Sequence, residues 1–105
     1  MPIPLNTREF HWIKRSLDAA RDSIDKGWYQ SALLELRKPA KRLDSQPLPI
    51  RLQAIVKLTQ AEAWKGLNNP KKEKYFLEAA RKVFEDVNDD SKEYQNCLNR
   101  LAELS

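Results

Sequence analysis

The sequence is poor in the residues on which most small-molecule chemistry depends. Its 105 residues include one cysteine, Cys97, one histidine, His11, and two glycines. A lone cysteine cannot form a disulfide within the chain, and one Cys with one His cannot supply the usual ligands of a zinc site. Two glycines are too few for the glycine-rich loop that surrounds a bound phosphate. We therefore expect a protein that is not an enzyme and that has no catalytic residues, metal or cofactor.

Long apolar runs and the alternating pattern of a half-buried strand are also missing. No stretch of the sequence is apolar over the length of a bilayer, and residues 1–7 lack the charged and then apolar order of a signal segment. These absences predict a cytoplasmic protein with no membrane contact. Alanine, leucine and long unbranched polar residues are plentiful, which favours helices. The expected fold is all-α, in a single domain over residues 1–105.

Five helices are predicted, and the first two form a hairpin over about residues 8–44. The first helix is expected from about residue 8 to residue 26, with Asn6 as N-cap and Glu9 completing a capping box. Gly27 is expected to end it in the left-handed conformation. The second helix begins near Trp28. Pro39 is expected to kink or restart it, because proline removes a backbone donor inside a helix.

The remaining three helices follow a proline-rich linker over residues 45–49. The third, about residues 50–67, is apolar on more than one side, which is typical of a central helix. Asn69 and Pro70 are expected to cap and open the fourth, so that a second hairpin covers about residues 50–87. Asp90, with Glu93 three residues later, is expected to open a capping helix over about residues 91–104.

Both hairpins have a similar spacing of small and bulky residues. The first contains Ala19, Ala20, Gly27, Tyr29, Ala32 and Leu36, and the second contains Ala61, Trp64, Leu77 and Ala80 around a bend at residues 67–70. Both resemble the tetratricopeptide repeat, a helical hairpin that stacks into protein-binding scaffolds. Glu73 and Pro39 depart from it, since they stand where the family has small residues. A plain helical bundle remains the alternative.

The resemblance implies an adaptor or regulatory module that binds a peptide or helix of a partner protein. In that family the first helix of each hairpin lines a concave groove. The corresponding residues here are Lys14, Leu17, Arg21, Ile24, Asp25, Ile55, Leu58, Glu62 and Lys65. The apolar stripe of the first helix, which is expected to face the core, consists of Phe10, Ile13, Leu17, Ala20 and Ile24. Trp12 lies about 100° around the helix from this stripe, which predicts an exposed binding anchor. The asparagines of the family's carboxylate clamp are absent.

Two other functions stay open at this point. Basic residues cluster on the second and fourth helices, namely Arg37, Lys38, Lys41, Arg42, Lys71, Lys72, Lys74, Arg81 and Lys82. If these faces adjoin, they form a strip suited to nucleic-acid backbone within a larger complex. They are also what the solvent faces of two amphipathic helices look like. The third possibility is a self-assembling structural subunit. The sequence fixes neither the partner nor the oligomeric state.

Overall fold

The computed structural model describes residues 4–104, and all regular structure within them is helical. The five helices are α1 (Thr7–Asp25), α2 (Tyr29–Asp44), α3 (Arg51–Gly66), α4 (Pro70–Asp86) and α5 (Lys92–Glu103). Their ends lie within one or two residues of the predicted ones. The described range contains no strand, which confirms the predicted all-α fold of about five helices.

The starts of α1 and α4 follow from side-chain caps. The Oδ1 atom of Asn6 accepts a hydrogen bond from the Glu9 N–H at 2.9 Å, and the Asn6 N–H donates to Glu9 Oε1 at 3.3 Å. Both halves of the predicted capping box are therefore present. The Oδ1 atom of Asn69 accepts from the Lys72 N–H at 3.1 Å. Each cap occupies a donor that the first turn of a helix leaves without an intrahelical partner.

The start of α5 differs from the prediction by one residue. Ser91 is the N-cap, and its hydroxyl accepts from the Tyr94 N–H at 3.4 Å. The Asp89 carboxylate accepts from the Ser91 N–H at 2.8 Å and from Arg51 Nε at 2.7 Å. Asp89 thus stabilises the turn before α5, while Asp90 is exposed. The expectation that Asp90 opens this helix was wrong.

Three helices end with a residue in the left-handed conformation. Gly27 has a φ of 80°, as predicted, and the same role falls to Asn68 and Asn88, with φ of 57° and 55°. Asparagine is one of the few other residues that adopt this conformation readily. In each turn the next backbone N–H reaches back to the helix that has just ended. These bonds run from Trp28 to Ser23 O, from Asn69 to Trp64 O and from Asp89 to Phe84 O.

Helix α2 continues through Pro39 without interruption. The sequence predicted a kink or a restart near Lys38, and the structure shows no restart. Pro39 is buried, and α2 also contributes Leu36 and Leu43 to the hydrophobic core. Burial of this face stabilises the helix on both sides of the proline and offsets the loss of one backbone hydrogen bond.

Helix α3 is the centre of the packing. It lies against α1, α2 and α4, while α1 also packs on α2 and α4 also packs on α5. Six alanines are fully buried in the core that the helices share: Ala20, Ala32, Ala54, Ala61, Ala63 and Ala80. The end of α3 lies close to the start of α2, because a Cβ on Gly66 would lie 2.2 Å from the Tyr29 ring. Small residues therefore set the distances between helices.

We predict that Ala61→Leu and Ala80→Leu each lower the free energy of unfolding by about 1–3 kcal/mol, because a larger side chain overpacks these crossings. Urea denaturation followed by circular dichroism measures the effect. Ala19→Leu is the matched control, since Ala19 is exposed on α1 and leucine is a good helix former. Wild-type midpoints for both buried variants would rule out close crossings at Ala61 and Ala80.

Candidate functional site

Helices α1, α3 and α5 line two adjoining depressions that together we call the inner groove. The first has a volume of about 430 Å³ and includes residues of all three helices. The second, of about 440 Å³, lies between the first half of α1 and the start of α3. Ile55 borders both. The depressions thus follow one another along the same side of the helices.

The floor of the inner groove is largely apolar, and the hydroxyl and the thiol on it are already bonded. Ile55 is buried and Leu58 half-buried. The Thr59 hydroxyl donates to Ile55 O at 2.9 Å, and the Cys97 thiol donates to Leu77 O at 3.2 Å. Burial raises the pKa of the Cys97 thiol, which keeps it protonated and unreactive at neutral pH. This floor favours apolar contact over chemistry.

The two rims of the inner groove carry opposite charges. Lys14 and Arg21 on α1 are exposed, and neither has a carboxylate partner among the described residues. On the other side, α5 contributes Glu93 and Glu103. The pKa of Glu93 is lowered by hydrogen bonds from its own backbone N–H and from the Ser91 hydroxyl. It is lowered further by Arg51, whose Nη2 lies 2.8 Å from Glu93 Oε2. The groove is therefore positive along α1, and Glu103 leaves a negative charge on α5, whose Glu93 and Arg100 are paired with Arg51 and Glu73.

A buried ion pair attaches α5 to the rest of the molecule. Glu73 on α4 is 6% exposed, and its Oε2 accepts from Arg100 Nη2 at 3.1 Å. The second guanidinium nitrogen, Nη1, lies 3.9 Å from Glu62 Oε1 on α3. Glu73 departs from the small residue expected on the tetratricopeptide pattern, and its carboxylate meets an arginine of the last helix. This departure has a structural role, since it fixes one wall of the groove.

Five of the nine residues predicted to form the binding surface do line the inner groove, namely Lys14, Arg21, Ile55, Leu58 and Glu62. The others lie elsewhere. Leu17 is 5% exposed and belongs to the core, and Ile24 is half-buried against it. Lys65 and Asp25 are both exposed, but neither is among the residues that line the groove.

Trp12, the residue predicted as an exposed anchor beside these nine, faces away from the inner groove. It is half-buried and packs against the core. Arg21 lies nine positions further along the helix, which places the two about 180° apart around α1. Trp12 shares its side of α1 with Glu9 and Ser23, which bond to Arg42 and Glu35 of α2. Its position does not support the expected role of an exposed anchor, because α1 packs against α2 on this side.

The sequence prediction missed two groups of groove residues. Phe10 was assigned to the apolar stripe, yet it is 39% exposed and borders the second depression beside His11. The whole contribution of α5 was also missed: Glu93, Asn96, Cys97, Asn99, Arg100 and Glu103. The prediction treated α5 as a capping helix. If α5 had been interpreted as the first helix of a third hairpin, its polar side would have been placed in the groove, because the first helix of each of the other two hairpins lines the groove.

The two basic clusters do not merge into one continuous strip. Helix α2 packs against α1 and α3, and α4 packs against α3 and α5, so that α2 and α4 have little contact with each other. Arg42 is engaged with Glu9, where Nη2 and Oε1 are 3.1 Å apart, and its hydrogen bonding lowers the pKa of Glu9. The other eight predicted contacts are exposed, namely Arg37, Lys38, Lys41, Lys71, Lys72, Lys74, Arg81 and Lys82. Each helix therefore presents its own basic face.

Comparison with protein-family models, curated proteins and solved structures gave no match for this chain. The tetratricopeptide resemblance therefore stays a prediction. Among residues 4–104, no helix has both the length and the apolar character required to cross a membrane. The same range holds no cluster of three or more His, Cys, Asp or Glu side chains that could bind a metal ion.

We predict that Trp12→Ala lowers the free energy of unfolding by about 2 kcal/mol, because it removes a large side chain from the contact between α1 and the core. Chemical denaturation measures this loss. His11→Ala is the matched control, since its exposed side chain borders the groove, and its stability should stay within about 0.5 kcal/mol of wild type. Equal stabilities of Trp12→Ala and wild type would place Trp12 outside the core.

We predict that Arg100→Met destabilises the fold by about 2–3 kcal/mol, because it leaves the buried Glu73 carboxylate without its partner. The cost stays below that of a fully buried pair, since Arg100 keeps some exposure to solvent. Adding Glu73→Gln should recover much of the loss, because an amide is cheaper to bury than a charge. If the double variant is no more stable than Arg100→Met, the pair does not carry the attachment of α5.

Proposed function

We propose that this chain is a protein-interaction module without catalytic activity, an adaptor or regulatory subunit whose inner groove binds a peptide or short helix of a partner protein. The observation that carries the proposal is the groove itself. Its apolar floor lies between a positive and a negative rim, and its two depressions follow each other along the helices. An elongated ligand fits this shape better than a compact small molecule, because it can occupy both depressions at once.

The charges of the groove define the ligand further. Acidic side chains of the partner would lie against Lys14 and Arg21, and basic ones against Glu103 on the opposite rim. Apolar side chains between them would contact Ile55 and Leu58. Phe10 is the exposed aromatic at the groove, the role that the sequence assigned to Trp12. Complementary charges of this kind set orientation and partner choice more than raw affinity.

The same reasoning favours the cytoplasm as the place of action. Cys97 is a buried free thiol, and free cysteines are usual where the environment is reducing. The groove floor also favours binding over catalysis, because its hydroxyl, on Thr59, and its thiol, on Cys97, both donate hydrogen bonds to backbone carbonyls. The tetratricopeptide resemblance supports the same proposal, since such hairpins form binding scaffolds.

Selection from a peptide library displayed on phage tests the proposal. We expect wild-type protein to select peptides in which apolar residues recur at helical or alternating spacing next to Asp or Glu. Lys14→Glu and Arg21→Glu should each weaken a selected peptide at least about tenfold, since the reversed charge repels the acidic residue. Phe10→Ala should weaken it by a similar factor, because exposed aromatics often dominate binding energy.

Arg15→Glu provides the matched control. Arg15 is exposed on the same helix, about 120° around α1 from Arg21, so the same charge reversal should leave the affinity unchanged. Peptides that bind the groove variants and wild type equally would disprove the proposal. Affinity capture from the native host with wild type and with Arg21→Glu, followed by mass spectrometry, would then identify the natural partner as the protein lost with the variant.

A further inference from the structure

A second surface with a different composition lies at the start of α4. Asn69, Lys71, Lys72, Tyr75 and Phe76 line a depression of about 460 Å³, which we call the lysine–aromatic face. Tyr75 is 65% exposed. Its ring meets that of Phe76 edge-on, with centroids 5.1 Å apart and an angle of 86° between the planes. Phe76 therefore holds the Tyr75 ring in an open position.

The lysine–aromatic face carries charge of one sign. Lys71, Lys72 and Lys74 are all exposed, and none of them has a carboxylate partner among the described residues. The one acidic residue in this turn, Glu73, points into the protein and bonds to Arg100. No described residue that lines the depression is acidic. The lysine–aromatic face therefore differs from the inner groove, which carries charges of both signs.

Two further contacts organise the lysines and the cap. The Lys72 ammonium lies 5.2 Å from the centroid of the Trp64 ring, a cation–π contact that keeps the side chain near the helix start. Asn69 uses its carbonyl oxygen to cap α4, so its amide NH₂ group stays available as a donor. The surface thus combines cations, an amide donor and an open aromatic ring within two turns of one helix.

We propose that the lysine–aromatic face binds single-stranded nucleic acid, with phosphates against Lys71 and Lys72 and a base stacked on Tyr75. Proteins that bind single strands combine a positive surface for the backbone with aromatic side chains for the bases. The strand must be single, because bases in a duplex do not present their faces for stacking. The charges and the open ring supply both parts within one depression.

An acidic peptide is the competing ligand for a positive surface, and the side chains favour nucleic acid. Lysine binds a phosphate or a carboxylate as a point charge and does not require one orientation, and no arginine lines this depression. The charges therefore suit both ligands, and the open ring of Tyr75 decides between them. A peptide gains little from an open tyrosine ring, whereas every base has a flat face that can stack on it.

The lysine–aromatic face lies on a different helix from the inner groove and shares no residue with it. The proposal is therefore independent of the proposed function. Loss of nucleic-acid binding and loss of peptide binding are expected from different substitutions.

Fluorescence anisotropy of the full chain with labelled oligothymidylate and oligouridylate of about 20 nucleotides tests the proposal. Neutralising two phosphates gives a slope of about −1.4 for log affinity against log salt, which is about a sevenfold loss between about 50 and 200 mM salt. Tyr75→Ala should weaken binding about tenfold, while Tyr75→Phe should keep it, because only stacking is required. Lys71→Glu with Lys72→Glu should abolish measurable binding.

Lys38→Glu with Lys41→Glu is the matched control, because it makes the same change in net charge on the exposed face of α2. The affinity of this control variant for the oligonucleotides should stay within about twofold of wild type, because the lower net charge alone weakens binding only slightly. Circular dichroism and melting temperature should be unchanged in all variants, since the altered side chains are exposed.

The proposal would be overturned if wild type did not bind either oligonucleotide at low salt, or if Tyr75→Ala bound with wild-type affinity. It would also be overturned if the α2 control lost as much affinity as the Lys71→Glu, Lys72→Glu variant, or if wild type bound a duplex of the same length as tightly as the single strand. Polyglutamate that competes at the same charge concentration, with the same dependence on Tyr75, would instead assign the surface to an acidic protein.

Discussion

The close packing of α3 against three neighbours is the constraint on which the rest of the structure depends. Ala54, Ala61 and Ala63 are fully buried on this helix, so that α1, α2 and α4 can approach it on different sides. A helix in this position cannot keep a wide polar face, because most of its circumference is in contact. The part that remains open, around Leu58 and Glu62, becomes the middle of the inner groove. The groove is thus what the packing of α3 leaves uncovered.

The last helix depends on a smaller set of contacts, and these determine the shape of the groove. Helix α5 packs on α4, and of its own residues only Cys97 is fully buried within the described range. Arg100 joins Glu73 and approaches Glu62, which connects α5 to both helices of the second hairpin. Because α5 packs on α4 and reaches α3 through ion pairs such as that of Arg51 with Glu93, a depression stays open between α3 and α5. An apolar residue at position 73 would remove this connection.

Local features of the fold were predictable from the sequence, and features that depend on two neighbours were not. The capping box at Asn6 and the left-handed Gly27 were predicted correctly, because both require only adjacent residues. Trp12 was judged from its angle to one apolar stripe, whereas α1 is covered on two sides. Phe10 was assigned to the core by the same arithmetic. Angles around a helix become contacts only when the neighbours are known, and the sequence did not place α2, α3 and α5 around α1.

The two proposed surfaces follow from how the sequence distributes its charge. The net charge of +4 is small for the 34 charged residues, 19 basic and 15 acidic, so its arrangement matters more than its total. Along the inner groove both signs are present and face each other, which favours a ligand with its own charge pattern. At the start of α4 the acidic residue is buried against Arg100, and the lysines are left alone. The contact that anchors α5 therefore also makes the lysine–aromatic face positive, and one buried pair shapes both surfaces.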